Sequence, residues 1–411
     1  MENVGNAQGL LGDTTMKAED YERGKHMYEE LLSASDFACK SGKLFFVPLN
    51  CPYFVVYDYV QGRVLEKKRI RHKGNISSYY DRVIEHNDTL FFLPFWAECV
   101  LYYDLQTDEL MEIEIEYSHS KEGACGYDAA IVYGNCIYAF KRFLFRGGQG
   151  AYGVLEIDCE KKTAKEYKMM GEGTQLPANP YEVIFRRTCA LSDNNALLFG
   201  RNGSYIYCVE RNMLLPAAQS YSNKTISSIV MLDDNSFFMV ADDGNIIIWN
   251  ADTDKQTIYP IPAEIMEDVK NEEGVLSESF GSCVAFGDRV YLFGSHFSCI
   301  LEFDINENKV YKAWFSEQIA EGKRDKRDED YCYGQLSRVY VKDGVLMVWN
   351  IWKKKFYAVS LETHQIEEKS ISLGFSEQDL VYEMKAELEE GIVMEKPGIT
   401  LNTYLTGLFR G

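Results

Sequence analysis

Short apolar runs alternate with polar turns along most of the chain. Residues 89–104 read "TLFFLPFWAECVLYYD", in which two apolar runs flank a short loop and Asp104 follows the second run. Residues 289–304, "RVYLFGSHFSCILEFD", follow the same plan. A short run that is apolar at consecutive positions is typical of a strand buried on both faces. Each pair of runs therefore predicts a β-hairpin.

The hairpin pattern occurs seven times. Its copies cover 43–58, 89–104, 136–158, 196–210, 236–250, 289–304 and 345–360. Each copy ends on a polar anchor residue, and these anchors are Asp58, Asp104, Asp158, Glu210, Asn250, Asp304 and Ser360. The anchors are separated by roughly 40 to 56 residues. A period of this length indicates a repeat architecture.

Each repeat contains two further runs, which extend the hairpin to four strands, here called a, b, c and d. Strand a precedes the hairpin and ends in a turn rich in Gly, Asn and Asp; strand d follows the anchor and is more polar. Strand b is continuously apolar, as in Leu90–Leu93, whereas strand d alternates, as in "LEKKRI" (65–70). Four-stranded sheets that are buried within and wet outside predict an all-β fold, a β-propeller of seven blades over about 35–371.

The repeats resemble those of the Kelch and WD40 propellers. A single Gly follows strand b in "LLFG" (197–200) and "YLFG" (291–294), where Kelch repeats carry a Gly doublet, and Trp314 stands near the Kelch Trp position. The nearest echo of the WD dipeptide is "IIIWNADT" (246–253). The resemblance concerns architecture and implies a divergent propeller of Kelch-like aspect.

The two ends of the chain lie outside the seven repeats. Residues 16–33 are expected to form a short helix with an imperfect apolar stripe, within an N-terminal extension over 1–34. The propeller is expected to occupy 35–411, with closing strands in 380–407. These strands either close a seven-bladed ring beside the first repeat or complete an eighth blade.

Composition narrows the functional classes. The formal net charge of −20 disfavours nucleic acid and anionic membrane surfaces as partners. The 11 Cys are scattered without a CxxC pair, and no run is apolar over about 18 residues, so a cytoplasmic protein is expected, with buried thiols. The 6 His show no metal-ligand spacing, and no nucleotide-binding or hydrolase motif appears, so no cofactor or metal is expected.

The connections of a propeller define its candidate working face. The b–c and d–a connections share one face, and several d–a connections here are long, such as 170–186 and 260–281. Long loops on one side of a rigid scaffold favour a binding surface. Aromatic and basic residues that suit sugar rings, anions or peptides are expected there, and the candidates are Tyr80, Arg82, Phe95, Trp96, Tyr127, Arg142, Arg186, His296, Arg338 and Trp352.

These residues also have structural interpretations, since the aromatic side chains can cap the core and each Arg can pair with a carboxylate. The leading hypothesis is a monomeric, non-catalytic recognition module for a protein or a carbohydrate-like ligand. Two alternatives stay open. One is an enzyme that acts on a sugar as a lyase, hydrolase or epimerase, with catalytic groups in the central funnel. The other is a scaffold that uses its blade edges.

Overall fold

The structure is a computed structural model. It describes residues 32–49, 51–70, 80–95, 97–117, 126–141, 153–171, 187–190, 195–200, 203–216, 226–233, 235–241, 243–265, 280–294, 299–320 and 336–375. The expected strands of 380–407 lie outside these residues, as does most of the expected helix. Leu32 and Ser33, the last two residues of that expected helix, are described and are not helical.

The described residues form four-stranded antiparallel units in chain order. The first three units comprise β1 (Ala38–Lys40), β2 (Lys43–Phe46), β3 (Tyr53–Asp58) and β4 (Arg63–Arg69); β5 (Tyr80–His86), β6 (Thr89–Pro94), β7 (Cys99–Asp104) and β8 (Glu109–Tyr117); and β9 (Tyr127–Tyr133), β10 (Cys136–Lys141), β11 (Gly153–Asp158) and β12 (Thr163–Lys168).

The next four units continue the same order. They comprise β13 (Met170–Gly171), an extra edge strand, followed by β14 (Arg187–Ala190), β15 (Asn195–Gly200), β16 (Gly203–Cys208) and β17 (Met213–Pro216); β18 (Ile226–Asp233), β19 (Ser236–Ala241), β20 (Asn245–Asn250) and β21 (Lys255–Pro260); β22 (Phe280–Phe286), β23 (Arg289–Gly294), β24 (Ile300–Asp304) and β25 (Lys309–Lys312); and β26 (Tyr340–Lys342), β27 (Val345–Asn350), β28 (Lys355–Ser360) and β29 (Gln365–Lys369). A short helix, α1 (Ser316–Ala320), precedes the last unit.

Burial is greatest in the second and third strands of a unit and low in its outer strand, as the repeat pattern predicts. All six residues of β6 are buried, whereas β4 alternates between exposed and partly buried residues. The apolar faces pack between neighbouring units, where clusters such as Phe45, Phe54, Phe92 and Tyr103 join the first unit to the second. The hydrophobic effect at these interfaces holds the units together.

The first unit packs directly against the seventh. Phe37 and Phe46 share one buried cluster with Trp349 and Phe356. The Trp349 indole Nε1–H donates a hydrogen bond of 3.0 Å to the Leu32 carbonyl, and the Leu32 amide donates one of 2.7 Å to the Ile371 carbonyl. The two ends of the repeat region therefore meet, so the described units form a β-propeller.

The outer edges of the second and third units were not expected to pair. Strand β8 pairs in parallel with β12, so that these two units form one eight-stranded sheet. Lys165 and Glu116 form an ion pair of 2.9 Å across this junction. The pairing covers two outer strands that would otherwise expose their backbone groups.

The polar anchors fix the c–d turns. The Asp104 carboxylate accepts hydrogen bonds from the amides of Gln106 (2.8 Å) and Thr107 (3.2 Å). Asp58, Asp158 and Asp304 make the same pair of contacts, and Asn250 and Ser360 accept from the third following residue. Each turn ends on a residue with positive φ, and these are Gly62, Asp108, Lys162, Asn212, Asp254, Asn308 and His364.

The anchor of the fourth unit is Cys208, and the expectation of Glu210 was wrong by two residues. Cys208 pairs with Met213 as Asp104 pairs with Glu109, and the positive-φ residue Asn212 follows Cys208 at the usual distance. Glu210 lies within the turn. The fourth turn therefore has a thiol where the neighbouring turns have a hydrogen-bond acceptor.

Replacing Cys208 by aspartate is expected to stabilise the protein. The new carboxylate would accept the two turn amides, which predicts a gain of about 0.5–1.5 kcal/mol in the free energy of unfolding. Urea denaturation measures this change. The matched control is Asp104→Cys, which is expected to lose stability by a similar amount. A Cys208→Asp protein less stable than the wild type would contradict this account of the turn.

Candidate functional site: a polar cavity inside the ring

The innermost strands begin with a shared irregularity. In the second unit, Tyr80 pairs with Pro94 and Arg82 pairs with Leu93, so Asp81 is an extra residue in the strand. Tyr80 and Val83 consequently lie in the same interblade cluster although they are three residues apart. This is a β-bulge, a device that redirects side chains at the end of a strand.

The same irregularity recurs around the ring. Five further quartets have their first and fourth residues in one interblade cluster, and with "YDRV" (80–83) they read "ASDF" (34–37), "YDAA" (127–130), "ISSI" (226–229), "FGSC" (280–283) and "LSRV" (336–339). In the fourth unit "FRRT" (185–188) fits the pattern in sequence. Arg187 pairs with Phe199, the fifth residue of β15, as Arg82 pairs with Leu93, the fifth residue of β6. Arg187 therefore holds the third place of its quartet.

Most third residues of the quartets lie around a central cavity. The third positions are Asp36, Arg82, Ala129, Arg187, Ser228, Ser282 and Arg338. The cavity has a volume of about 190 Å³. It is lined by Arg82, Ala129, Ala130, Thr188, Ser228, Ile229, Gly281, Ser282, Cys283, Arg338, Val339 and Tyr340. The innermost strand of almost every unit thus contributes to one polar space.

The cavity lies toward the face of the b–c and d–a connections. Its lining residues stand at or just before the first residues of strand a. The beginning of strand a pairs with the end of strand b, as Tyr80 does with Pro94 and Phe280 with Gly294. The ends of the b strands lead into the b–c connections, so the cavity and those connections share one side of the ring.

Asp36 lies between the two arginines of the cavity. Its Oδ2 is 3.6 Å from Arg338 Nε and 4.0 Å from Arg82 Nε, and it accepts a 2.9 Å hydrogen bond from the Val83 amide. Its Oδ1 accepts the Phe37 amide at 2.9 Å and the Tyr340 hydroxyl. One buried carboxylate therefore links the first, second and seventh units.

Burial dominates the titration of this cluster. It raises the pKa of Asp36, against the opposing effects of the Arg82 and Arg338 guanidinium groups, the Tyr340 hydroxyl and the Val83 amide. Burial, together with the neighbouring charge of Arg82, lowers the pKa of Arg338 to about 10, although the carboxylates of Asp36 and Asp81 act in the other direction. Arg338 therefore stays protonated at neutral pH.

Three polar atoms of the cavity have no hydrogen-bond partner among the described residues. They are Arg82 Nε, Thr188 Oγ1 and Ser228 Oγ, and each is shielded from solvent. The adjacent Ser227 behaves differently, because its hydroxyl donates a 3.0 Å hydrogen bond to the Val240 carbonyl. Buried polar groups in native proteins nearly always have partners. These atoms are therefore free to bond to a molecule inside the cavity.

The residues predicted for the site divide into three groups. Arg82 and Arg338 come together in the cavity, and Trp352 lies partly buried in the b–c hairpin of the last unit. Tyr80, Phe95 and Tyr127 are buried rather than displayed on the face. Trp96, Arg142, Arg186 and His296 lie outside the described residues. The ligand-binding role proposed for all ten residues stays a prediction.

Local packing explains the burial of the aromatic residues. Phe95 is 6% exposed and packs so closely on Gly126 that a Cβ there would lie 2.0 Å from the ring. The Tyr80 hydroxyl lies 3.4 Å from Cys99 Sγ, and the Tyr127 hydroxyl donates a hydrogen bond to Glu166. Sequence alone did not reveal that the small residue Gly126 receives Phe95.

Several residues of the cavity were missed at the sequence level. Thr188, Ser228 and Ser282 of the lining, and Asp36 beside it, were not candidates, because each reads as an ordinary residue in its own segment. The signal that identifies Asp36, Ser228 and Ser282 is the alignment of the seven quartets, in which the third position is polar in six units. The quartets can be aligned only once the bulges are known, and a bulge is seen in the pairing of strands and not in the sequence of one strand.

The described ranges also bear on metal binding and membrane crossing. In this part of the chain no group of three or more His, Cys, Asp or Glu side chains could hold a metal ion. Over the same residues, no helix has the length and apolar character needed to cross a membrane.

Comparisons with known proteins support the fold. No protein-family profile matches the chain, and no curated protein matches it in sequence. Among solved structures it is similar to the WD40 repeats of RRP9, with 12% identity and a TM-score of 0.50 over 78% of this chain and 88% of that chain. It is similar to U3-55K at 12% identity and a TM-score of 0.50, over 78% and 89% of the two chains.

A third similar structure is PorZ, a bacterial surface component of the type-IX secretion system of Porphyromonas gingivalis. It is 8% identical, with a TM-score of 0.50 over 85% of this chain and 40% of PorZ. The chain is therefore a divergent β-propeller resembling those of the WD40 type. The Kelch-like aspect expected from single glycines stays a prediction.

Proposed function

We propose that this chain is a recognition module that binds a protein partner on the face formed by its b–c and d–a connections. The observation that carries the proposal is the difference between the two faces of the ring. The opposite face consists of short a–b and c–d turns fixed by positive-φ residues and polar anchors. Several d–a connections on the proposed face span more residues, as between Tyr117 and Tyr127 and between Pro260 and Phe280.

The seventh unit presents a braced hairpin on the proposed face. The Asn350 side-chain amide donates a 2.7 Å hydrogen bond to the Ile319 carbonyl, and Lys353 Nζ donates one of 3.0 Å to the Gln318 carbonyl. Both acceptors belong to α1, so the helix and the hairpin support each other. Trp352 stands on this rigid hairpin, and a held aromatic side chain suits a binding hot spot.

Binding to peptide and glycan arrays tests the proposed function. Trp352→Ala is expected to weaken peptide binding about tenfold or more, as for a hot-spot residue. The control is Met231→Ser, because Met231 is 53% exposed near the opposite end of a strand a. The control variant is expected to bind like the wild type. Thermal denaturation checks that both variants are folded.

Two results would overturn the proposal of a protein partner. One is loss of peptide binding in Met231→Ser with binding retained in Trp352→Ala, which would move the interaction to the other face. The second is binding to glycans alone, which would make the partner a carbohydrate.

A further inference from the structure

We propose that the central cavity binds a small anion, carrying a carboxylate or a phosphate, between Arg82 and Arg338 and against the Ser228 hydroxyl. This site lies on the same side of the ring as the proposed protein-binding face but does not depend on the partner proposed there. Four kinds of observation carry the inference: the charge of the lining, its unpartnered polar atoms, the size of the cavity and the way the ring constructs it.

The charge that faces the cavity is positive. Arg82 and Arg338 are the charged side chains among the described lining residues. The two carboxylates nearby, Asp36 and Asp81, do not line it. Asp36 lies against both guanidinium groups and fixes their positions while sharing one negative charge between them. Two arginines held in this way suit a carboxylate or phosphate, whose oxygens accept several N–H bonds at once.

The polar atoms that have no hydrogen-bond partner in the described part of the chain lie where a bound anion would need donors. Ser228 is 1% exposed, and its hydroxyl has no partner among the described residues. Arg82 Nε, which lies 4.0 Å from the Asp36 carboxylate, and Thr188 Oγ1 also have no hydrogen-bond partner among the described residues, and they belong to two other units of the same cavity. A hydroxyl donates as readily as it accepts. An anion oxygen in the cavity would satisfy donors that the described protein atoms leave unsatisfied.

The volume of the cavity suits a small ligand. About 190 Å³ is slightly larger than an engineered cavity of about 150 Å³ that admits benzene. It is smaller than the roughly 300–1,000 Å³ of sites for drug-sized ligands. Inorganic phosphate or a short mono- or dicarboxylate fits this space, whereas a nucleotide or a sugar chain exceeds it.

The ring builds the site from equivalent positions. Arg82, Ser228 and Arg338 occupy the third place of their quartets, beside a bulge or an interrupted pairing in each strand. Bulges concentrate beside functional sites because they redirect one side chain without disturbing the sheet. Ser227 and Ser228 show the effect, since neighbouring serines in one strand have their hydroxyls in different environments.

Calorimetric titration with inorganic phosphate and with succinate tests the site, with the neutral succinamide as the uncharged control. Ser228→Ala removes only an unpartnered hydroxyl, so it is expected to fold normally and to bind the anion about tenfold or more weakly. Ser227→Ala is the matched control, because it removes a hydroxyl bonded to Val240. This control is expected to lower the unfolding temperature and leave the anion affinity unchanged.

The outcomes separate the ligand classes and the two proposals. Binding of phosphate alone assigns a phosphate ligand, and binding of succinate alone assigns a carboxylate. Unchanged peptide binding by Ser228→Ala would show that the anion site and the protein-binding face are independent. No binding of either anion at millimolar concentration, equal binding of succinamide, or unaltered affinity in Ser228→Ala would overturn the inference. The cavity would then contain only water.

Discussion

Replacing Asp36 by asparagine is expected to lower the free energy of unfolding by about 3–5 kcal/mol, the usual effect of removing one partner from a buried ionic cluster. Arg82 and Arg338 would lose the carboxylate they share and would face each other inside the ring. The substituted side chain would keep one acceptor oxygen but place a donor amide beside another donor. Urea denaturation followed by tryptophan fluorescence and by circular dichroism measures the loss.

The matched control is Asp88→Asn. Asp88 also pairs with a cation, Lys40, at 3.3 Å, but 53% of its side chain is exposed. Exposed pairs contribute little to stability, so this variant is expected to unfold close to the wild type. Equal stability of the Asp36 and Asp88 variants would contradict the role assigned to the buried cluster.

The second large effect is expected at the pair of Lys141 and Glu166 in the third unit. Their Nζ and Oε1 atoms are 2.6 Å apart, and the side chains are 11% and 0% exposed. The Tyr127 hydroxyl donates a further hydrogen bond to Glu166. Lys141→Met would leave the carboxylate buried without its cation, and a loss of about 3–5 kcal/mol is expected.

A double variant separates the effect of the buried charge from the effect of packing. In Lys141→Met with Glu166→Gln, the amide oxygen still accepts the Tyr127 hydroxyl but no buried charge remains, so most of the lost stability is expected to return. Lys165→Met is the exposed control, since Lys165 pairs with Glu116 at 2.9 Å on the surface. A double variant no more stable than Lys141→Met would show that the loss comes from packing and not from charge.

The repeat pattern was enough to predict the fold because the strands of every unit have the same requirements for burial. A continuously apolar strand such as β6 requires cover on both faces, and an alternating strand such as β4 requires cover on one. Only a stack of equivalent units satisfies both. The acceptors at Asp104 and its equivalents marked the turns, and the displaced anchor of the fourth unit arose because Cys208 lacks that acceptor while Glu210 lies nearby.

The site was only partly predictable, because its residues are distant in sequence and join by ring closure. Arg82 and Arg338 were candidates as basic residues near the start of a strand. Asp36 was not, since nothing in its own segment indicates that it meets both arginines. Ser228 and Ser227 are equivalent in sequence, and only the bulge between Ile226 and Ser228 distinguishes them.

The burial of Phe95 also depends on a distant contact. Its loop, with Trp96, suggested display on the working face. Gly126, which begins the next unit, leaves the space that the Phe95 ring fills. A glycine carries no apolar signal, so a search for hydrophobic partners along the chain does not find it.

The central claim is that the equivalent strands build one anion-binding cavity on the recognition side of the ring. Anomalous diffraction from crystals of the full chain soaked in arsenate, the heavy analogue of phosphate, or in bromosuccinate, a dicarboxylate with a heavy atom, tests it most directly. The account predicts an anomalous peak within hydrogen-bonding distance of both Arg82 and Arg338 and beside the Ser228 hydroxyl. Peaks confined to lysines on the outer surface, with no peak between the two arginines in either soak, would contradict it.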